Sequence, residues 1–286
     1  MRFAGFTIAA AVLVAALAAG CSEGAGSLRT ECAEFSDTTS RARLSLNIEL
    51  PKAGDAISAG IRTALMETCL SEFGISDLAA DPAVATADFA GELGARALAA
   101  MDASVAKDIE ETMQYMGGDM SDAEKAGIVA RMSSWESDLK LCKTDESERW
   151  VVFLSQRYVY QGGAHGGIAG AGHLCFDKRS GALFNHFLTE GCASQMQDIL
   201  ARGLASYLSG DGENVSAENV RDFLFLEDGF IPLPAETPHP TKDGLCFVYQ
   251  QYEIAAYALG MPAFVLPYPE VSPYLTPAAR DLLGLE

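Results

Sequence analysis

The sequence predicts an α+β fold in which an antiparallel β-sheet packs against helices. Two observations support this fold class. Helical periodicity is concentrated before residue 135, and alternating strand patterns are concentrated after it. The chain has 286 residues, of which 49% are hydrophobic, so it is long enough and apolar enough to bury a core. We therefore expect a helix-rich N-terminal half and an antiparallel meander in the C-terminal half.

The first 21 residues predict secretion and lipid attachment. Arg2 precedes a short apolar run that ends in the small residues Ala18, Ala19 and Gly20, and Cys21 follows. This is the layout of a bacterial lipoprotein signal, although a plain cleaved signal with an incidental Cys21 is the alternative. We expect residues 1–20 to be removed and Cys21 to be lipidated, which places the protein in the cell envelope. The expected site is the outer membrane, facing the periplasm, with contact to the membrane only through this anchor.

The N-terminal elements follow from spacing. Residues 21–40 are expected to form a tether, and a strand–helix region is expected over 41–134. Alternation at Leu44, Leu46 and Ile48 predicts a strand that stops at Pro51. A four-residue repeat predicts a helix over Ala53–Phe73, and a longer helical pattern follows and ends at Gly117-Gly118. Ser121 and Glu124 form a capping box, which predicts one more helix start.

The region 135–286 is expected to be a second domain. Its predicted strands lie at 135–141, 149–160, 171–176, 223–226, 245–252 and 264–266, and its predicted helix lies at 196–207. The strand at 149–160 is apolar on both faces, which is typical of a central strand. Pro232–Pro240 is expected to be a loop, and Thr276-Pro277 predicts the N-cap and first residue of a terminal helix.

Cysteine usage predicts disulfides. After lipidation of Cys21 an even number of cysteines remains, and export places them in an oxidising compartment. They are Cys32, Cys69, Cys142, Cys175, Cys192 and Cys246. The sequence does not choose among the possible pairings, and no Cys or His spacing indicates a zinc site.

The charge is strongly acidic. The chain holds 20 Lys and Arg against 39 Asp and Glu, a net charge of −19, and loss of Arg2 with the leader would make it −20. Such a field repels nucleic acid and attracts cationic partners, although a merely soluble acidic surface is the alternative.

Two blocks of sequence resemble a known family. The first contains Tyr158–Gly166 followed by Phe176–Gly181, and the second is Gly244–Gly260 with Pro267-Tyr268 after it. In this order they resemble the extracellular domain shared by the anti-sigma factor RsiV and the peptidoglycan deacetylase PdaC, the domain of unknown function 3298. The resemblance is clearest over residues 148–275. The unit at 43–70 resembles the smaller domain that precedes it in those proteins.

The resemblance implies recognition of lysozyme or of the cell wall. The candidate binding residues lie in the two blocks and are Tyr160, Gly163, His165, Tyr252, Glu253 and Tyr257. His165 and Glu253 are also the weak candidates for catalysis, as general base and as acid–base carboxylate, although a turn residue and a hydrogen-bonding anchor are the favoured interpretations. No metal site, cofactor motif or nucleic-acid motif is expected.

We therefore expect a lipid-anchored envelope protein that binds a cationic protein such as lysozyme, or a cell-wall glycan such as peptidoglycan. One alternative is a peptidoglycan-acting enzyme that uses His165 and Glu253. Another is a structural lipoprotein that takes part in envelope assembly.

Overall fold

The structure is a computed structural model that describes residues 26–285 except 117, 119, 163–165 and 210–214. The predicted leader, Cys21, Gly163 and His165 lie outside the described residues. Among those described, no helix combines the length and the apolar character needed to cross a membrane.

The predicted α+β class is confirmed. Within the described residues a main sheet has the order β1-β2-β3-β4-β5, and a small antiparallel sheet has the order β6-β7-β8. The strands are β1 (Thr30–Thr38), β2 (Ala42–Pro51), β3 (Trp135–Glu146), β4 (Trp150–Tyr160), β5 (Ile168–Asp177), β6 (His239–Pro240), β7 (Gly244–Val248) and β8 (Ala263–Pro267). The helices are α1 (Ala56–Glu72), α2 (Thr86–Met116), α3 (Asp122–Met132), α4 (Gln197–Leu208), α5 (Tyr268–Val271) and α6 (Pro277–Leu283).

The predicted meander is present, since β3, β4 and β5 pair in antiparallel fashion. The main sheet is nevertheless mixed, because β2 and β3 pair in parallel, with Leu46 opposite Leu139. The chain between them forms α1, α2 and α3, and a long helical crossover is the connection that parallel neighbours require. One sheet therefore unites the strand–helix region with the meander.

The expected tether over 21–40 contains a strand instead. β1 pairs with β2 along its whole length, although most of its side chains are polar or exposed. The polar composition of this segment resembles that of a loop, because a strand at the edge of a sheet needs few buried side chains. Phe35 packs so closely on α2 that a Cβ at Gly94 would lie 2.3 Å from its ring. The start of the fold is also held, because Lys178 Nζ donates to the Gly26 carbonyl oxygen at 2.8 Å.

Two apolar cores lie on opposite faces of the main sheet. On one face, α1 and α2 pack against residues such as Leu44, Leu141 and Phe153. On the other, Trp150 and Val152 of β4 contact the core formed with α4 and the small sheet. The central strand β4 is therefore covered on both faces, as its sequence predicts.

Local start signals are confirmed at two helices. Ser121 and Glu124 form the predicted capping box of α3, and Thr276 caps α6 with Pro277 in its first turn. The predicted strand at 223–226 is wrong, since Val220–Phe223 is a short 3-10 helix. The predicted strand at 245–252 is shorter, because β7 ends at Val248 and the backbone then turns.

The predicted disulfides are not found. The six described cysteines, Cys32, Cys69, Cys142, Cys175, Cys192 and Cys246, are all free thiols, and none is within disulfide distance of another. Cys69 lies on the buried face of α1, whereas Cys175 and Cys192 lie in the core on the opposite face of the sheet. A buried cysteine packs like a small apolar side chain, so an even count alone does not establish pairing.

Candidate functional site: a tyrosine surface and an acidic cleft

A tight turn after β7 closes the free edge of the main sheet. Gln250 Oε1 accepts from Ala171 N at 3.0 Å and its Nε2 donates to Ala171 O at 2.6 Å, so this amide mimics a peptide group of a neighbouring strand. Gln251 Oε1 accepts from Ala169 N at 2.8 Å. Since an open strand edge invites pairing with other chains, these two side chains protect β5 and fix the turn against it.

Tyr252 is presented to solvent by this turn. Its side chain is 59% exposed and its φ is +65°, in the left-handed region that non-glycine residues rarely adopt. Such strain persists only where the surroundings impose it, and it is concentrated at functional sites. The Tyr257 ring lies beside it, with centroids 5.6 Å apart and planes at 36°.

Tyr257 connects this pair to the start of β5. Its hydroxyl donates to the Gly167 carbonyl oxygen at 2.8 Å. The adjacent Ile168 is 60% exposed. We call Ile168, Tyr252 and Tyr257 the tyrosine surface. An aromatic and aliphatic patch on a strained turn is suited to contact a partner.

Glu253 has a structural role in the same turn. Its carboxylate accepts from Gln250 N and from Ala235 N, both at 2.6 Å. This side chain therefore ties the turn to the segment that carries Glu236. The arrangement agrees with the anchoring interpretation of Glu253 that the sequence favours.

An acidic cleft of about 370 Å³ adjoins the tyrosine surface. Its floor is the helix-covered face of β4 and β5, where Ser155 lies opposite Gly172 and Arg157 lies opposite Gly170. Its walls are Glu72 at the end of α1 and the loops that carry Glu236 and Gln250. Gly170 and Gly172 of β5 contribute no side chains, so the cleft extends down to Ser155. We call Glu72, Ser155, Arg157, Gly172, Glu236 and Gln250 the acidic cleft.

Glu236 is the most perturbed carboxylate of the cleft. Burial raises its pKa above the usual value, and the negative charges of Glu253 and Glu72 raise it further. No hydrogen bond or ion pair joins its carboxylate to another described residue. A solvent-exposed carboxylate that is repelled by two others favours a positively charged ligand.

Arg157 does not neutralise this carboxylate, because its guanidinium is already occupied. It donates to the backbone carbonyl of Glu72 and to Ser137 Oγ at 3.3 Å, and it lies 4.5 Å above the Phe73 ring. Burial lowers the pKa of Arg157, and the Glu72 charge acts in the opposite direction. Its charge is therefore directed toward the end of α1.

The structure brings Tyr252, Glu253 and Tyr257 together in one turn, whereas Tyr160 lies at the end of β4, where it pairs with Glu136. Gly163 and His165 lie outside the described residues. Sequence reasoning missed the cleft residues Glu72, Ser155, Arg157 and Glu236. Only Gly170 and Gly172, which alternate with Ala in β5, gave a signal that something approaches this strand closely.

Comparison with protein families gives a match over the region that contains the turn and the Glu236 loop. Residues 205–269 match the family described as protein of unknown function (DUF3298). Over these residues the chain is similar to a DUF3298 domain. The match includes the turn with Tyr252 and the Glu236 loop, but it begins after the first block of the resemblance. Comparison with curated proteins gives no match.

Two solved structures share the fold. A DUF3298 family member from Bacteroides fragilis has 19% identity and a TM-score of 0.62, covering 91% of this chain and 98% of that one. A DUF3298 family protein from Pseudomonas aeruginosa has 15% identity and a TM-score of 0.54, covering 88% and 96%. The shared architecture thus spans nearly the whole described chain.

Proposed function

We propose that this chain is a lipid-anchored binding protein of the bacterial cell envelope whose tyrosine surface binds a cationic protein of the lysozyme type. The observation that carries the proposal is Tyr252, an exposed aromatic ring on a strained turn. Tyrosine is enriched among the residues that dominate binding energy in protein interfaces. Since the adjoining cleft carries Glu236, whose carboxylate is repelled by Glu253 and Glu72, a basic partner is favoured over an acidic one.

The overall charge supports the same partner. A net charge of −19 accelerates the approach of a basic protein, by about 10- to 1000-fold at low salt. The resemblance to an extracellular domain associated with lysozyme recognition points in the same direction. Attachment through Cys21 would hold the protein at the envelope, where such partners arrive.

The short N-terminal connection gives this location a geometric consequence. Gly26 is already hydrogen-bonded to Lys178, so few residues separate Cys21 from the fold. A chain of five residues spans at most about 18 Å. The folded body would therefore remain close to the lipid surface.

The proposal is tested with residues 22–286, which include every described residue. Lysozymes are titrated against this chain by calorimetry at low and at physiological salt. We expect binding that weakens as salt rises, and a loss of about tenfold or more in affinity for Tyr252→Ala. Tyr115→Ala is the matched control, because Tyr115 is 92% exposed at the distal end of α2.

Absence of binding at micromolar concentration in low salt would refute this partner. An equal effect of Tyr252→Ala and Tyr115→Ala would instead refute the surface. Anchoring is tested separately, since Cys21→Ser should move the protein from the membrane fraction to the soluble fraction.

A second candidate ligand is a cell-wall glycan, which the exposed ring favours because sugars stack on aromatic faces. Soluble peptidoglycan fragments in the same titration separate the two ligands. Wall hydrolysis that is lost in His165→Ala or in Glu253→Ala, with the fold intact, would favour the enzymatic alternative. Recovery of another envelope protein by crosslinking would favour the assembly alternative.

A further inference from the structure

The acidic cleft contains a hydroxyl and a carboxylate that the protein leaves without partners. Ser155 is 4% exposed, and its Oγ has no hydrogen-bond partner. The Glu236 carboxylate forms no hydrogen bond or ion pair with any described residue. Buried polar groups are nearly always hydrogen-bonded, so an orphaned serine that lines a cleft indicates a missing partner.

The two groups face the same space. Gly172 is the cross-strand partner of Ser155. A Cβ built at Gly172 would lie 3.6 Å from Glu236 Oε2, so this carboxylate lies above the gap that the glycine leaves. A group placed in that gap would therefore lie beside the Glu236 carboxylate and next to Ser155.

The electrostatics of the cleft favour a cation. The charges nearest Glu236 are those of Glu253 and Glu72, which are both negative. The positive charge of Arg157 is engaged with the Glu72 carbonyl and the Phe73 ring. Among the described residues no group of three His, Cys, Asp or Glu is arranged to hold a metal ion, so an N–H cation fits these acceptors better than a metal.

We propose that the acidic cleft binds a primary alkylammonium group, which donates one N–H to the Glu236 carboxylate and another to the Ser155 hydroxyl. An ammonium is compact and has three donors that radiate from one atom, which suits a narrow gap with two convergent acceptors. The ammonium could belong to a lysine side chain or to a free amine. The site does not depend on the partner proposed for the tyrosine surface.

The test is a titration of residues 22–286, followed by NMR chemical shifts, with defined probes. Nα-acetyl-lysine methylamide presents the ammonium on a peptide unit, and n-butylamine presents it alone. Nα-acetyl-norleucine methylamide is the neutral match, and Nα-acetyl-arginine methylamide carries a guanidinium. Binding of the lysine probe alone identifies a peptide ligand, whereas equal binding of butylamine identifies a free amine; both results support the site.

Two variants localise the effect. Glu236→Gln should lower the affinity for the lysine probe about tenfold or more, because it removes the charge of the acceptor. Ser155→Ala should lower it less, by about fivefold, because the lost acceptor is neutral. Glu67→Gln is the matched control, since Glu67 is an exposed carboxylate on the same helix as Glu72. Thermal unfolding should show that both cleft variants fold, because neither removes a contact within the protein.

The proposal is overturned if the neutral probe binds as tightly as the lysine probe, if Glu236→Gln binds it unchanged, or if the arginine probe binds more tightly. Tyr252→Ala should leave amine binding unchanged. The cleft and the tyrosine surface can therefore fail independently.

Discussion

A pair of stacked histidines makes the stability of this protein depend on pH. His173 of β5 and His239 of β6 lie face to face, with ring centroids 3.6 Å apart and planes within 9°. The stack joins the main sheet to the small sheet. Burial lowers the pKa of His173 to about 4. Burial, and then the neighbouring His173, lower the pKa of His239 to about 2.

The sign and size of the effect follow from proton linkage. In the unfolded chain both rings bind protons below about pH 6.5. In the folded chain each ring stays neutral until the pH falls to its own lowered pKa. The unfolded state thus holds more protons, and the free energy of unfolding falls as pH falls. On going from about pH 7.5 to about pH 5, each ring lowers the free energy of unfolding by about 2 kcal/mol, so the pair lowers it by about 4 kcal/mol.

Urea unfolding of residues 22–286 across this pH range measures the loss, with the fluorescence of the buried Trp150 as the signal. The double substitution of His173→Phe and His239→Phe keeps two stacked rings and removes both titrations. Over this pH range the free energy of unfolding of the double variant should fall by about 4 kcal/mol less than that of the wild type. His186→Asn is the control, because His186 is an exposed histidine.

A result in which the wild type and the double variant lose the same free energy would refute this reasoning. Glu236 acts in the opposite direction, because its raised pKa lets the folded chain hold an extra proton and gain stability as pH falls. The comparison with the double variant removes this contribution, since Glu236 is present in both proteins.

Two packing contacts outside the site give further predictions. Arg62 is 1% exposed and donates to Glu31 and to two backbone carbonyls. Arg62→Ala leaves these carbonyls unpaired, so it should lower the free energy of unfolding in urea by about 2–4 kcal/mol. Arg96→Ala removes an exposed ion pair and should change the free energy of unfolding by no more than about 1 kcal/mol. A Cβ at Gly203 would lie 2.1 Å from the Phe264 ring, so Gly203→Ala should destabilise α4 by about 1–3 kcal/mol despite its better helix propensity. Gly60→Ala, with open space around it, should stabilise α1 by up to about 1 kcal/mol, and equal effects of the two alanine substitutions would contradict the packing argument.

Local signals predicted the fold where one residue determines one backbone event. Ser121 and Thr276 cap their helices because their side chains reach neighbouring backbone N–H groups, and this needs no knowledge of the remaining chain. The double-sided apolar pattern of β4 likewise predicted a central strand. In contrast, the parallel pairing of β2 with β3 depends on how three helices return the chain to the sheet, which periodicity does not encode.

Strand β1 shows a second limit of sequence reasoning. Its polar side chains gave no strand pattern, because β1 is stabilised by backbone pairing along one edge and by a few contacts such as Phe35 with α2. The cysteines show a third limit. Their number and predicted compartment suggested pairing, but the side chains of Cys69 and Cys192 lie in separate cores.

The site was predictable only in the part that is continuous in sequence. Tyr252, Glu253 and Tyr257 were found because all three lie in the second block of sequence that carries the family resemblance. The acidic cleft was not, because Glu72, Ser155 and Glu236 come from three distant segments that meet only in the folded chain. Each of these residues looks ordinary within its own segment.

Within the block itself, the structure separates residues that support the turn from residues that are free to bind. Gln250, Gln251 and Glu253 form side-chain hydrogen bonds with backbone groups of β5, of the turn and of Ala235, so their replacement should first disturb the fold. Tyr252 is different, because its ring is exposed and its strained backbone is imposed by those committed neighbours. This block therefore combines residues that support the fold with a residue that is free to bind. Variants at Tyr252, or at Ser155 and Glu236 of the cleft, test function without removing a hydrogen bond within the protein.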